Sequence, residues 1–457
     1  MYYTQTLDGD IACNMVPAND VQPILDNPLG IETILNNQTY ANPNRFFCHW
    51  MYKGYLVSTP LYLQHYVRPI ESVYLSTAFA KTGIQIALIL LLAIAISGTT
   101  NIFKLSFMSA AVLVTPFFQT NGFRDVIGII DCSITYTFFY ALPCVFVVLY
   151  FLPMLREFFN GYKLKYPVLM KILWILLAFV VCLSGPLNPG IVLVIAVLLA
   201  YYFLKNGLQK SDRPGLFNKL MDAIAAVPKN YWFYMIPVCV LSAYSLFLGQ
   251  YNSLTIESRI PLMEMYSRLP IGIYNTLTQK LAYPVLIGMI ILNSVLISSR
   301  FNSDEGSKIL RMTRWIVAFS VFYILLLPLG GYREYRHYIV RYDTIMPVTL
   351  ALIFVYGVSS FYLVKQMASF KKLLYLAALV VVGLIYNTAD KHWGDINACE
   401  RQALEEIAAS KENVVELKQD CTVVGWYKIE APEYSELNAR LLVIWGITKE
   451  KKLYYQK

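Results

Sequence analysis

Charge is scarce in this 457-residue chain: only 15% of residues are ionisable, and none sits at the centre of a long apolar run. That deficit excludes an ordinary soluble protein of this size. It also speaks against an ion-coupled carrier, which needs ionisable groups or broken helices at mid-membrane, often in repeated halves. No CxxC or HExxH pattern occurs and the four histidines are scattered, which argues against a structural zinc site. No soluble nucleotide cofactor is implied. The seven residues before Asp8 contain neither a signal peptide nor an apolar span.

Apolar and aromatic residues dominate what is present. Hydrophobic residues make up 57% and aromatic residues 15%, and mean hydropathy is +0.49. The chain is predicted to be an all-α polytopic membrane protein. About ten spans are expected near 82–98, 102–118, 134–152, 172–187, 191–204, 231–249, 281–299, 315–330, 344–364 and 373–387. Lys and Arg collect in alternate loops around Lys104; Arg156, Lys163, Lys165 and Lys171; Lys205, Lys210, Arg213, Lys219 and Lys229; Arg300, Lys308, Arg311 and Arg314; and Lys365, Lys371 and Lys372. By the positive-inside rule these loops are cytoplasmic. The opposite loops hold Arg124, then Arg259, Arg268 and Lys280, then Arg333, Arg336 and Arg341, while the hairpin at 186–190 holds none. The +9 net charge therefore sets topology and is no sign of nucleic acid binding.

Three regions follow: an extracytoplasmic first loop (1–81) with interfacial helices, a helix bundle (82–387) and a small extracytoplasmic α/β tail (388–457). An external N-terminus needs a means of crossing, so an absent first helix is expected, with spontaneous translocation of a short N-terminus as the alternative. The aromatic run 46–52 suggests a helix lying in the interface, either roofing a cavity or packing on the bundle. Helical spacing from Pro69 continues into the first span. In the tail, a helix from Asp395 through Ala408, strands at 414–417 and 421–427, and a helix at 434–445 are predicted. Cys399 and Cys421 are either disulfide partners or two free thiols, because spacing cannot settle connectivity. Cys144, Cys182 and Cys239 lie within spans as packing residues.

Three constellations carry chemistry. In Asp8-Gly9-Asp10 an extended segment would turn both carboxylates to one face, suited to a general base or to Mg²⁺ or Mn²⁺ binding; a solvated turn is the plainer alternative. In 332–343, a helix would align Arg333, Arg336, His337 and Arg341 as one basic face beside tyrosines. Guanidinium forks there would hold a lipid phosphate; an interfacial anchor, or pairing with Glu334 and Asp343, would use the same residues. Around Asn121-Gly122, Asp125 and Asp131 are candidates for substrate hydroxyls or a shared cation, with helix capping by Asp131 as the alternative. The loop with Glu257, Arg259, Glu264 and Arg268 is less informative.

This layout resembles the integral-membrane glycosyltransferases of the GT-C class: many spans, a long first external loop opening on an acidic motif, and later external loops bearing arginine. The resemblance implies transfer of a sugar from a polyprenyl-phosphate or polyprenyl-diphosphate donor to a glycan, lipid or protein acceptor in the cell envelope. It assigns the base or metal-ligand role to Asp8 or Asp10 and lipid-phosphate binding to Arg333, Arg336 or Arg341. The stretches 42–47 and 131–136 are similar to uncharacterised bacterial multi-span proteins, so a bacterial inner membrane is the expected location. A transporter or flippase of a lipid-linked or anionic solute, a polymerase or ligase of another fold, and a non-catalytic assembly scaffold are the competing expectations.

Overall fold

The computed structural model describes residues 1–17, 21–161, 167–185, 187–211, 213–257 and 260–456. Lys163, Lys165, Pro186 and Arg259, used above to orient the chain, lie outside the described residues. Among the described residues eight helices are long and apolar enough to cross a membrane: Pro69–Ser97, Ile134–Phe159, Leu187–Lys210, Lys229–Tyr251, Ala282–Arg300, Asp304–Gly330, Met346–Gln366 and Phe370–Ala389. Two shorter apolar helices, Leu105–Phe117 and Val168–Cys182, occupy the remaining expected spans. Charged residues fall mainly toward the ends of these helices, with Lys81 inside Pro69–Ser97 and Arg311 and Arg314 inside Asp304–Gly330 as the exceptions. The chain is thus an α-helical multi-pass membrane protein.

The Met346–Gln366 helix is the axis of the bundle: 83% of its apolar window is buried, against 17% for Phe370–Ala389 beside it. Gly357 permits its close packing, since a Cβ there would fall 2.5 Å from Ile96 Cδ1 and 3.2 Å from Val114 Cγ1. The buried polar groups along this axis find partners. Asn293 donates to Ser359 Oγ and Ser360 Oγ, each at 2.9 Å, and accepts from Tyr375 Oη at 2.7 Å. Such satisfied polar contacts between helices replace the hydrophobic drive that lipid cannot supply.

A second core lies at one end of the bundle. There Leu7, Ile11 and Met15, with Tyr52 and Leu56 of the Phe46–Leu63 helix, pack against Leu404, Ile407, Leu442 and Trp445 of the tail. The N-terminal segment and the tail therefore share one hydrophobic interior on one face of the bundle. Asn397 fixes the join by donating to Tyr3 O at 2.8 Å and Gln5 O at 3.2 Å.

Several elements differ from expectation. The helix expected from Pro69 runs unbroken to Ser97, and it is only the region boundary drawn at residue 81 that falls inside it. In the tail the helix is Ala398–Ala409, and Val414–Leu417 is a strand, but 421–427 is not. The partner strand is Leu453–Gln456, parallel to the first with Val414 opposite Leu453. The alternation in 421–427 misled because Val424 has φ +48°, which breaks the pleat. The helix expected at 434–445 runs over Glu436–Ile444 after a 3-10 turn. An amphipathic helix, Leu262–Thr278, fills the loop that carried little sequence signal.

Candidate functional site

Asp8-Gly9-Asp10 opens the site, and its geometry corrects the extended reading. The segment turns directly into a short helix, Ile11–Met15, and the two carboxylates take different partners. Asp8 is 4% exposed and accepts from Thr135 Oγ1 at 2.7 Å, Thr135 N at 3.2 Å and Asp10 N at 3.1 Å. Tyr52 Oη in turn reaches Thr135 Oγ1 at 2.7 Å. Burial raises Asp8 above the ordinary carboxylate range against the pull of these hydrogen bonds. It acts as a clamp fastening the first segment to the start of a long helix.

Asp10 is half-buried and differently placed. The Trp426 side chain of the tail donates to its carboxylate, and Arg341 lies near enough to act on its charge. Burial nevertheless raises its pKa, because both opposing influences are smaller. Gly9 makes this arrangement possible: a Cβ there would sit 2.6 Å from Trp426 Cδ1 and 2.7 Å from Trp426 N. Any larger residue would push the tail loop off the motif.

The arginine segment is not the helix its spacing suggested. Only Glu334–Arg336 forms a 3-10 turn, and Ile339 has φ +66°. The single basic face is replaced by three destinations. Arg336 and Arg341 both pair with Asp343, at 2.9 and 2.7 Å, and Asp343 is buried. Burial alone would raise Asp343, but the two guanidinium groups hold it below the ordinary range; burial likewise opposes the arginines' charge and Asp343 more than restores it. Arg333 donates to Leu254 O at 2.8 Å and Thr255 Oγ1 at 3.0 Å, and burial followed by Arg45 lowers it. His337 turns away to Arg268 Nη1 at 3.0 Å and leaves the cluster.

Two residues that sequence reasoning missed complete the cluster. Arg45 lies at the start of the Phe46–Leu63 helix, and Arg336 bonds the hydroxyl of Tyr140. The buried Nε atoms of Arg45 and Arg336 have no hydrogen-bond partner. Tyr136 packs under Arg341 at 5.0 Å and Tyr335 lies 4.9 Å from the same guanidinium. Tyr140 belongs to a π-helical turn, Thr137–Ala141, a local distortion that often marks functional sites.

The secondary acidic candidates separate. Asp131 accepts from Ser133 N at 2.7 Å and from the Tyr342 hydroxyl, so it joins the arginine segment to the helix start, while the cap itself is Ser133, which accepts from Tyr136 N at 3.1 Å. Asp125 is exposed and pairs with Lys280 at 2.8 Å, away from these groups. Lys81, also missed, is buried and donates to Gln5 Oε1 at 2.7 Å and Cys132 O at 2.5 Å. Among the described residues no three His, Cys, Asp or Glu side chains converge as a metal site. Asp8 has its oxygens engaged by Thr135 and the Asp10 N–H, which leaves Asp10 as the freer carboxylate of the pair.

Below the arginines the bundle forms a partly open apolar cavity of about 300 Å³ lined by Cys144, Phe151, Trp315, Phe319, Pro347 and Phe354 among others. Cys144 follows Tyr140 by four residues, and Pro347 follows Asp343 by four. The charged cluster therefore stands about one helical turn above an oily chamber.

The tail is held to this site by Glu400. Its carboxylate accepts from Leu7 N at 3.0 Å, Val424 N at 2.8 Å and Tyr74 Oη at 2.8 Å, and a disulfide joins the neighbouring Cys399 to Cys421. Burial pushes Glu400 up to about 7 from 4.5. The folded form thus favours the protonated carboxyl. Tail docking is strongest below the unfolded value and weakens as pH rises toward 7, by an amount on the order of 3 kcal/mol. Hydrogen exchange of the tail between pH 4.5 and 8 should show this slope, and Glu400→Gln should flatten it.

No protein-family model, curated protein or solved structure matches the chain. Its side chains alone carry the functional assignment.

Proposed function

We propose that this chain is a GT-C-like membrane glycosyltransferase that moves a sugar from a polyprenyl-phosphate or polyprenyl-diphosphate donor to an acceptor on the extracytoplasmic face. One observation carries the reading: buried guanidinium Nε atoms of Arg45 and Arg336 lack a hydrogen-bond partner, and Arg336, through Tyr140 and Asp343, stands about one turn from an apolar cavity in the membrane bundle. Buried donors without acceptors are costly, and a bound anion would satisfy them. A phosphate fits the fork geometry of arginine, and a prenyl chain fits the apolar chamber beneath it.

In this mechanism Arg45, Arg336 and Arg341 hold the donor phosphate and stabilise the negative charge that grows on it as the glycosidic bond breaks. Asp10, raised by burial yet open on one side, takes the proton of the acceptor hydroxyl as that oxygen attacks the anomeric carbon. A single displacement inverts the anomeric configuration. Asp8 positions Asp10 through their shared turn and does not touch the reacting atoms. The apolar chamber also suits a flippase, which would carry the donor across without breaking it.

Purified protein in proteoliposomes, given polyprenyl-phosphate-linked radiolabelled sugars and cell-envelope glycan, should move label to the glycan. Arg45→Gln should raise the donor KM on the order of tenfold with an unchanged unfolding midpoint, because Arg45 shares no carboxylate with the cluster. Movement of intact donor between leaflets without sugar release would replace the transferase reading by transport.

A further inference from the structure

The tail loop 418–431 contains no regular secondary structure, yet it is fixed along its length. Gln456 Nε2 donates to Gln419 O at 2.7 Å and Cys421 O at 2.6 Å, and Tyr454 Oη donates to Val423 O at 2.9 Å. Val424 is held through both its N–H, by Glu400 at 2.8 Å, and its carbonyl, by Asn438 Nδ2 at 3.0 Å. The disulfide anchors Cys421 itself. Val424 is also a β-branched residue with φ +48°, a conformation that costs free energy and persists only where the surroundings impose it. Beyond Trp426 the loop is held again where Gln456 N donates to Ile429 O at 2.7 Å, so the tryptophan sits between two anchored points.

Trp426 is 45% exposed although a large aromatic ring gains by burial. One side of it covers Gly9 and donates to Asp10; its ring lies 6.1 Å from that of Tyr136 at an interplanar angle of 35°. Tyr136 lies in turn beneath Arg341. The half-buried face of Asp10 is therefore bordered by a tilted aromatic shelf on one side and by the arginine cluster on the other.

We propose that Trp426, with Tyr136 beside it, forms the acceptor subsite for a carbohydrate ring, which lies on the indole and presents a hydroxyl to Asp10. The proposal rests on the transferase reading and narrows its acceptor from glycan, lipid or protein to a sugar. The apolar C–H face of a pyranose covers an exposed aromatic ring, while its edge hydroxyls remain free to meet a carboxylate. An aliphatic or extended peptide acceptor would gain little from a rigid flat shelf set beside a base. The loop's restraints serve to hold that shelf at a fixed distance from Asp10, which proximity catalysis requires.

Steady-state transfer from a polyprenyl-phosphate-linked sugar to p-nitrophenyl hexosides tests this, using wild type, Trp426→Ala, Trp426→Phe and Trp393→Ala. Trp426→Ala should raise the acceptor KM about tenfold while the donor KM holds. Trp426→Phe keeps a ring and should recover the acceptor KM, whereas Trp393→Ala, remote from Asp10, should match wild type. Saturation-transfer NMR of the same hexosides on protein in nanodiscs gives a readout independent of turnover. Hexoside signals lost in Trp426→Ala and kept in Trp393→Ala support the subsite even where no sugar is transferred, in which case only the transferase reading fails. An acceptor KM and hexoside signals unchanged by Trp426→Ala overturn the subsite while leaving transfer from the lipid donor intact.

Discussion

Asp343→Asn is expected to destabilise the folded protein by about 3–5 kcal/mol, the range for removing one partner from a buried ion pair. Asp343 has a side chain 1% exposed and serves two guanidinium groups whose side chains are 13% and 22% exposed. It also accepts from Thr344 N at 2.8 Å at the entrance to the axial helix. Asparagine would keep the shape and one acceptor but leave Arg336 and Arg341 facing each other without an intervening negative charge. Thermal unfolding in nanodiscs should show a midpoint lowered by roughly 3–5 °C. Because the site is read as an anion cradle, millimolar pyrophosphate should recover part of that loss in the variant and do less in wild type. An unchanged midpoint would mean that water reaches the arginines freely, and the case for a desolvated phosphate clamp would collapse.

The legible and illegible parts of this protein divide by the range of the physics involved. Span positions are local: a run such as 344–364 has no charge, and the Met346–Gln366 helix lies within two residues of it at each end. Pro69 as a helix start is equally local, since proline is favoured in a first turn. The site is not local. Asp8 is oriented by Thr135, 127 residues away, and a tripeptide cannot reveal that its two carboxylates take different partners. The 3.6-residue spacing of Arg333, Arg336 and Arg341 was real, but Asp343 within the same segment offered stronger pairing than a helical face would. Trp426 carried no sequence signal because its neighbours alternate like a strand, and only the hydrogen bonds from Glu400 and Asn438 show why they are not one.

Asp10→Asn should reduce sugar transfer by about 10²–10⁴-fold, the contribution of a positioned general base, with little change in stability. Asn keeps the size of the side chain and can still accept the Trp426 N–H, so the tail should remain docked. Asp8→Asn makes the opposite contrast. It weakens the fully buried bonds to Thr135 and should lower stability more than it lowers turnover per folded molecule. The pH profile separates a base from a merely positioned carboxylate. A base must be ionised, so wild-type transfer should fall as pH drops through the pKa of Asp10, which burial places above the usual 3.8. The Asp10→Asn enzyme should lose that acid limb from its residual activity. In Trp426→Phe the limb should move to higher pH, because the hydrogen bond from the Trp426 side chain is what draws Asp10 down. Full turnover by Asp10→Asn with an unaltered acid limb would assign proton removal to another group and remove the reason for an acceptor site beside Trp426.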